Sequence, residues 1–262
     1  MNKNKTALIT GACINTGVAI VEKFAAEGYN VVFTGRNSKK LNSSEKAYRE
    51  RFPKVEIIGY QMDSLIDERT VDEESVKRMF SDLDARGFFV ETLVLNAADQ
   101  GLGQKIFENP LTDFMKVINT NVAWNYCICE QAAKRMKSHG GGNIVFVNSN
   151  TAYRAIPDRV AYVASKGGQL GLMRALALDL GKYNIRVNAV LPGMIKTDRW
   201  EKNPEFYRNI PSRFTPLGDV AVGEDIANAV YYFCANARNT TGAELVVDGG
   251  NTIQLYPIIP EE

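Results

Sequence analysis

Apolar and polar positions alternate along the chain between two periods. Short runs rich in β-branched residues, "TALIT" (6–10), "YNVVFTG" (29–35), "KVEIIGYQ" (54–61), "ETLVLN" (91–96), "GNIVFVNS" (142–149), "NIRVNAVLP" (184–192) and "AELVVDGG" (243–250), read as strands. Between them lie segments with helical spacing: 17–28, 37–52, 72–87, 111–140, 158–183 and 223–237. In 17–28, Val18, Val21, Phe24 and Ala25 mark one face and Gly28 ends the helix. Strict alternation of strand and helix predicts an α/β fold, a doubly wound parallel sheet of about seven strands with helices on both faces. The middle of the fourth strand is wholly apolar, as burial on both sides of a parallel sheet requires. The pattern predicts one domain over 1–262. Two places break the rhythm. Residues 64–71 lengthen one turn, and 193–221 form a connection long enough for short helices near Trp200 and Phe206 and for a substrate-covering role.

Composition narrows the function classes. Hydrophobic residues are 45%, charged residues 23% and the net charge +1, values of a globular chain able to fill a core. No basic block stands out, which argues against nucleic-acid or membrane-surface partners. No apolar run is long enough to span a bilayer, and "MNKNKTALIT" lacks the pattern of a secretory leader. Cys13, Cys127, Cys129 and Cys234 have no metal-type spacing and are expected to be reduced thiols in a cytoplasmic protein. His139, the only histidine, falls at a helix end and serves no triad or metal site.

The chemistry begins at "TGACINTGVAI", between the first strand and the first helix. A glycine-framed turn there lets backbone approach a phosphate, and the helix N-terminus presents unpaired N–H groups with partial positive charge. Thr10, Gly11 and Gly17 frame the turn, and Cys13, Asn15 and Thr16 lie in it. The second strand ends in Gly35 and Arg36, where an acidic residue would hold the ribose of NAD. Gly35 leaves room for a phosphate and Arg36 can fork onto it, with Lys39 and Lys40 close by, so NADP(H) is expected over NAD(H). Farther on, "AYVASK" places Tyr162 and Lys166 one helical turn apart, after a strand that ends in Ser149.

Together these segments resemble the short-chain dehydrogenase/reductase family, whose motifs they match over nearly the whole chain. The first turn resembles its TGxxxGxG, with Asn15 where the middle glycine would be. Asn tolerates a left-handed backbone best after glycine, which keeps the turn attainable. "LNAA" (95–98) resembles the family's NNAG and "LPGMIKT" (191–197) its PG segment. By this resemblance Asp63 meets the adenine and Asn96 and Ala97 lie beside the adenosine ribose. Pro192, Gly193, Ile195 and Thr197 hold the nicotinamide. Asn121, Ser149, Tyr162 and Lys166 resemble the catalytic set. The resemblance implies an NADP(H)-dependent oxidoreductase interconverting a ketone or aldehyde with an alcohol. Tyr162 exchanges the proton, Lys166 lowers the Tyr162 pKa and bonds the nicotinamide ribose, Ser149 steadies the substrate oxygen, and Asn121 links Lys166 to solvent through a water.

Ser149, Tyr153, Ile156, Met194 and Trp200, with Phe206 and Phe214, are the expected substrate wall. It suits a hydrophobic or cyclic carbonyl compound, hydroxysteroid-like or 3-oxoacyl-like; Arg154 and Arg199 would instead suit a carboxylate, and both readings stay open. The alternative class is a non-catalytic NADP-binding sensor of the same fold. Apolar residues on several sides of the helices 111–139 and 158–183 predict a homotetramer, with a dimer second. The tail "TIQLYPIIPEE" is expected to pack on a neighbour or close over the pocket.

Overall fold

A computed structural model describes residues 5–258; the side chains of Arg199, Glu201 and Phe206 and the last four residues of the tail lie outside the described ones. Seven strands form one parallel sheet: β1 (Thr6–Ile9), β2 (Asn30–Gly35), β3 (Ile57–Gln61), β4 (Val90–Leu95), β5 (Gly142–Val147), β6 (Ile185–Pro192) and β7 (Glu244–Val247). Their spatial order is β3-β2-β1-β4-β5-β6-β7. The chain reverses direction across the sheet between β1 and β4, which opens a crevice at the carboxyl ends of these strands.

The period-2 pattern sorts side chains into two cores. Leu8, Leu93, Leu95, Ile144, Phe146 and Val187 face one side. There they meet α3 (Glu73–Ala85), α5 (Trp124–Ser138) and α6 (Val160–Gly181) through Phe80, Ile128 and Met173. Ile9, Val94, Val145 and Val190 face the other side, against Phe24 of α1 (Asn15–Ala26), Leu41 of α2 (Ser38–Arg51) and Val230 of α10 (Gly223–Ala235). Burial on both faces explains why these strands read as near-continuous apolar runs.

Two departures from the sequence reading, and one choice that it left open, concern the site. The helix expected over 111–140 is α4 (Leu111–Ile118) and α5 joined by a π-helical turn, Asn119–Ala123. One extra residue per turn there turns the Asn121 carbonyl toward side-chain donors, Gln169 at 2.7 Å and Asn125 at 2.8 Å. The long connection contains three short helices rather than one or two: α7 (Asp198–Lys202), α8 (Pro204–Tyr207) and α9 (Ile210–Phe214). Of the two places expected for the tail, it takes the one over the pocket, folding back on its own chain. Arg154 Nη1 donates to the carbonyls of Asn251 and Thr252 at 3.0 Å and to that of Gln254, and Ile258 N donates to Arg213 O at 2.8 Å.

Candidate active site

The glycine turn is built by close approach. Gly11 has φ 66°, and a Cβ on it would stand 2.8 Å from the Ala97 Cα. A Cβ on Gly17 would stand 2.6 Å from the Gly11 carbonyl oxygen and 2.9 Å from the Asn96 amide nitrogen. Asn15 has φ 48°, the left-handed conformation that the position of the missing glycine demands. The N-terminus of α1 behind it has no side-chain cap and no acidic residue in its first turn. Its backbone donors therefore face the cleft uncompensated, a surface suited to an anion.

That cleft, of about 620 Å³, is lined at one end by Arg36, Asn37 and Lys40 and in the middle by Gly11, Cys13, Asn15, Thr16, Gly17, Asn96 and Ala97. At the other end it reaches Ser149, Tyr162, Lys166, Pro192, Gly193, Ile195 and Thr197. The fold thus brings most of the expected cofactor residues to one groove. Asn37 caps α2 by accepting from the backbone N of Lys40 at 3.0 Å, and Arg36 and Lys40 both line the groove. Neither cation forms a salt bridge with a described residue. Length, the bare helix terminus and the paired cations all fit an extended dinucleotide with an added phosphate.

Three cofactor expectations are corrected. Thr10 is fully buried and does not face the groove; its hydroxyl accepts from the Asn96 and Ala97 amides at 3.0 Å and locks the turn onto β4. Asp63 does not line the groove, although its neighbours Met62 and Ser64 do; its carboxylate accepts from its neighbour Ser64 N at 2.7 Å. The space expected beside Gly35 is filled, since a Cβ there would meet the Cys13 sulfur at 2.4 Å.

A second cavity, of about 480 Å³, lies under the tail. Ile156, Met194 and Phe214 line it, together with Asn150, Thr151, Arg154, Arg159, Asn251, Gln254, Leu255 and Tyr256. It meets the cofactor groove at Gln100, Ser149, Tyr162, Gly193 and Met194, which line both. Its wall is less aromatic than the sequence suggested. Tyr153 is 53% exposed and turns outward, its hydroxyl donating to Glu244 on β7. Trp200 lines the cofactor groove instead, stacked on Tyr207 with centroids 4.5 Å apart. Arg154 is bound to the tail carbonyls, so a carboxylate would compete with a bond network already made. Phe206 and Arg199 have side chains outside the described set. Asn150 and the tail are tied together by a contact between residues 101 apart in the chain: Asn150 Nδ2 donates to Asn251 Oδ1 at 2.9 Å.

At the junction, the Ser149 hydroxyl and the Tyr162 phenol lie side by side and line both cavities. Burial pushes the phenol up from its ordinary value, while Ser149 and the Arg159 charge pull it down. Lys166 is buried and donates to Val147 O at 3.0 Å and Gln169 Oε1 at 3.2 Å, with its nitrogen 5.6 Å from the Tyr162 ring centroid. Burial alone lowers its pKa to about 7. The lowering of the Tyr162 pKa expected from Lys166 is not seen among the influences on the phenol, and the amine beside it is held only by neutral oxygens. The expected link from Asn121 through a water is also corrected. The Asn121 side chain bonds Asp99 O at 2.8 Å and Ser165 Oγ at 2.9 Å, and the Gln169 amide occupies the path from its carbonyl to Lys166. Gln169 was missed, although a glutamine one turn beyond Lys166 on a helix side otherwise continued by Leu170 and Met173 is a visible signal.

Elsewhere the cysteines are free thiols pushed up by burial, Cys234 to about 12. His139 caps α5 and stacks on Phe89. Among the described residues no acidic, histidine or cysteine cluster could hold a metal ion, and no helix is long and apolar enough to cross a membrane.

The family model described as enoyl-(acyl carrier protein) reductase matches residues 11–252. A 3alpha-hydroxysteroid dehydrogenase of Mediterraneibacter gnavus is 34% identical over 95% of this chain and 97% of its own. An NADP-dependent (R)-specific alcohol dehydrogenase of Lentilactobacillus kefiri is 32% identical over 96% and 98%. Among solved structures, the L-sorbose reductase of Gluconobacter frateurii, in complex with NADPH and L-sorbose, is 25% identical with a TM-score of 0.87 over 97% of this chain and 98% of that one. An NAD+-bound xylitol dehydrogenase is 28% identical with a TM-score of 0.82 over 95% and 100%. A two-chambered groove on a Rossmann sheet, with a nicotinamide dinucleotide as the family's cofactor, defines the class. The chain belongs to the short-chain dehydrogenase/reductase family, and its relatives are oxidoreductases.

The Lys166 pKa sets a pH dependence of stability. The folded amine, at about 7, binds fewer protons than the unfolded one, at its ordinary 10.5, so its burial cost is complete below about pH 7 and fades as pH rises toward 10.5. Lys166→Met should therefore stabilise the fold, relative to the natural chain, more at about pH 6 than at about pH 9.5 in urea titrations. A difference that is flat across this range contradicts the burial of a titrating amine.

Proposed function

We propose that this protein is an NADPH-dependent carbonyl reductase in which Tyr162 donates the proton to the substrate oxygen. The observation that carries the reading is the junction of the two cavities at Ser149 and Tyr162, one helical turn from Lys166. NADPH, when bound, supplies the hydride. Ser149 holds the carbonyl oxygen where negative charge develops, beside the Tyr162 phenol that donates to it. A phenol held protonated by burial suits donation to the developing alkoxide. The residues that would hold the cofactor are Arg36 and Lys40 at the 2′-phosphate, the amides of Asn15, Thr16 and Gly17 at the pyrophosphate, and Ile195, Thr197 and Lys166 at the nicotinamide riboside. The NADP-dependent alcohol dehydrogenase and the NADPH-bound sorbose reductase support this preference, although the xylitol dehydrogenase binds NAD+.

The second cavity is large enough for a mid-sized ketone. Ile156, Met194, Phe214, Leu255 and Tyr256 offer apolar contact, while Asn150, Thr151 and Gln254 offer polar contact. A hydrophobic or cyclic carbonyl compound bearing a second oxygen fits this mixture, of the hydroxysteroid-like or 3-oxoacyl-like kind. The chain would work as one domain in a reducing, cytoplasmic setting.

Tyr162→Phe should lower kcat for NADPH-dependent reduction of a ketone panel by about 100- to 10,000-fold while leaving NADPH affinity within a few-fold. Unchanged turnover, or NADPH binding with no turnover in either protein, would remove the enzymatic reading. Arg36→Ala should raise the KM for NADPH by roughly 10-fold or more and leave that for NADH nearly unchanged, because only the former carries the phosphate; equal effects on both would contradict the cofactor preference. The exposed Leu111 and Met115 on α4, Tyr126 on α5 and Leu178 on α6 support a homotetramer built on these helices. Light scattering should give four times the chain mass; a monomer would refute it.

A further inference from the structure

We propose that Gln169 is a positioning residue of the active site: its side-chain amide holds the Lys166 ammonium with a neutral oxygen, anchors it to the Asn121 carbonyl, and closes the direct route between them to proton relay. The inference rests on the Tyr162–Lys166 reading of the site.

Gln169 is fully buried on α6, one turn beyond Lys166. Its amide oxygen accepts from Lys166 Nζ at 3.2 Å and from Asn148 Nδ2 at 3.0 Å, and its nitrogen donates to the Asn121 carbonyl at 2.7 Å. That carbonyl faces the amide because the π-helical turn presents it there. Asn148 is itself fixed by donating to Lys166 O at 3.0 Å and accepting from Ser149 N at 2.7 Å. One side chain thus ties the lysine to the strand end that carries Ser149 and to the turn that carries Asn121. Every polar atom of Gln169 has a partner, which a buried amide in an otherwise apolar setting needs.

Two consequences follow from the chemistry of an amide. A water accepts and donates at the same atom, so it can pass a proton along. A carboxamide accepts at oxygen and donates at nitrogen, so it transmits orientation and dipole but no proton. Lys166 is therefore held in place beside Tyr162, and no proton passes through the Gln169 amide between Lys166 and the Asn121 carbonyl. The second consequence is electrostatic. The ionisable and charged groups near Lys166 are Tyr162 on its own helix, Arg159, whose charge acts on that phenol, and Asp99 beside the π-helical turn, whose carboxylate accepts from Gly101 N at 2.9 Å. None of them pairs with the amine, which donates only to the neutral oxygens of Val147 and Gln169. A neutral acceptor at 169 leaves the ammonium labile, whereas a carboxylate at the same atom would hold it charged.

The test compares the natural chain with Gln169→Glu, which keeps size and shape, and Gln169→Met, which keeps volume and removes both bonds. In lysine-13C-labelled protein, the Lys166 Cε resonance is identified by its loss in Lys166→Met. Its titration midpoint should rise by about 1 pH unit or more in Gln169→Glu and fall in Gln169→Met. The alkaline limb of NADPH-dependent ketone reduction should move in the same two directions, with far-ultraviolet circular dichroism unchanged. Midpoints within about 0.3 pH units of the natural chain in both variants would overturn the proposal, because a merely structural glutamine moves stability and not titration. The resonance titration needs no substrate. Failure of the underlying site reading is seen separately, as turnover that survives Tyr162→Phe.

Discussion

The structure depends on one topological constraint. A parallel sheet ordered β3-β2-β1-β4-β5-β6-β7 sends all its carboxyl ends to one edge and leaves a crevice where β1 and β4 lie side by side. The turn after β1, the strand end at Asn96, the strand end at Ser149 and the segment after β6 then border the same groove without being neighbours in sequence. Their mutual fit is tight: Thr10 and Asn96 stitch the first turn to β4, and the glycines at 11 and 17 exist because backbone passes within van der Waals distance. A rigid floor of this kind lets a long ligand be read at several points at once.

Within that frame the site balances two burials. Tyr162 is held protonated and Lys166 is held near neutrality, each by loss of water rather than by an opposite charge. Burying an amine without a counter-ion is costly, and it is sustained here by two neutral acceptors and by the packing of α6 against β6. The cost is spent where the two cavities meet. In the proposed reaction this arrangement presents a proton and a positive edge to the same oxygen, without a carboxylate that would pin the lysine.

The sequence made the sheet legible because parallel strands buried on both faces have an unmistakable apolar signature, and the glycine turn was legible because only a few residue types permit φ near 50°. Tyr162 and Lys166 were legible by helical spacing. Other features depend on where a side chain turns or what distant segment arrives. Tyr153 lies four residues after Ser149 on a helical turn (Asn150–Ala152 and its cap) that points it outward. Trp200 was assigned to the substrate wall, yet α7 carries it over the cofactor groove to stack on Tyr207. Cys13 filling the space beside Gly35 is a contact between residues 22 apart that periodicity does not encode. The π-helical turn was hidden because its residues have ordinary helical propensity and only tertiary bonds favour the extra residue.

The most direct measurement is a crystal structure of the complex with NADP+. The account predicts the phosphates on the amides of Asn15, Thr16 and Gly17, the 2′-phosphate against Arg36 and Lys40, and the nicotinamide ring beside the Tyr162 hydroxyl at the mouth of the second cavity. A cofactor bound in another orientation, with its ring out of contact distance from that phenol, would contradict it.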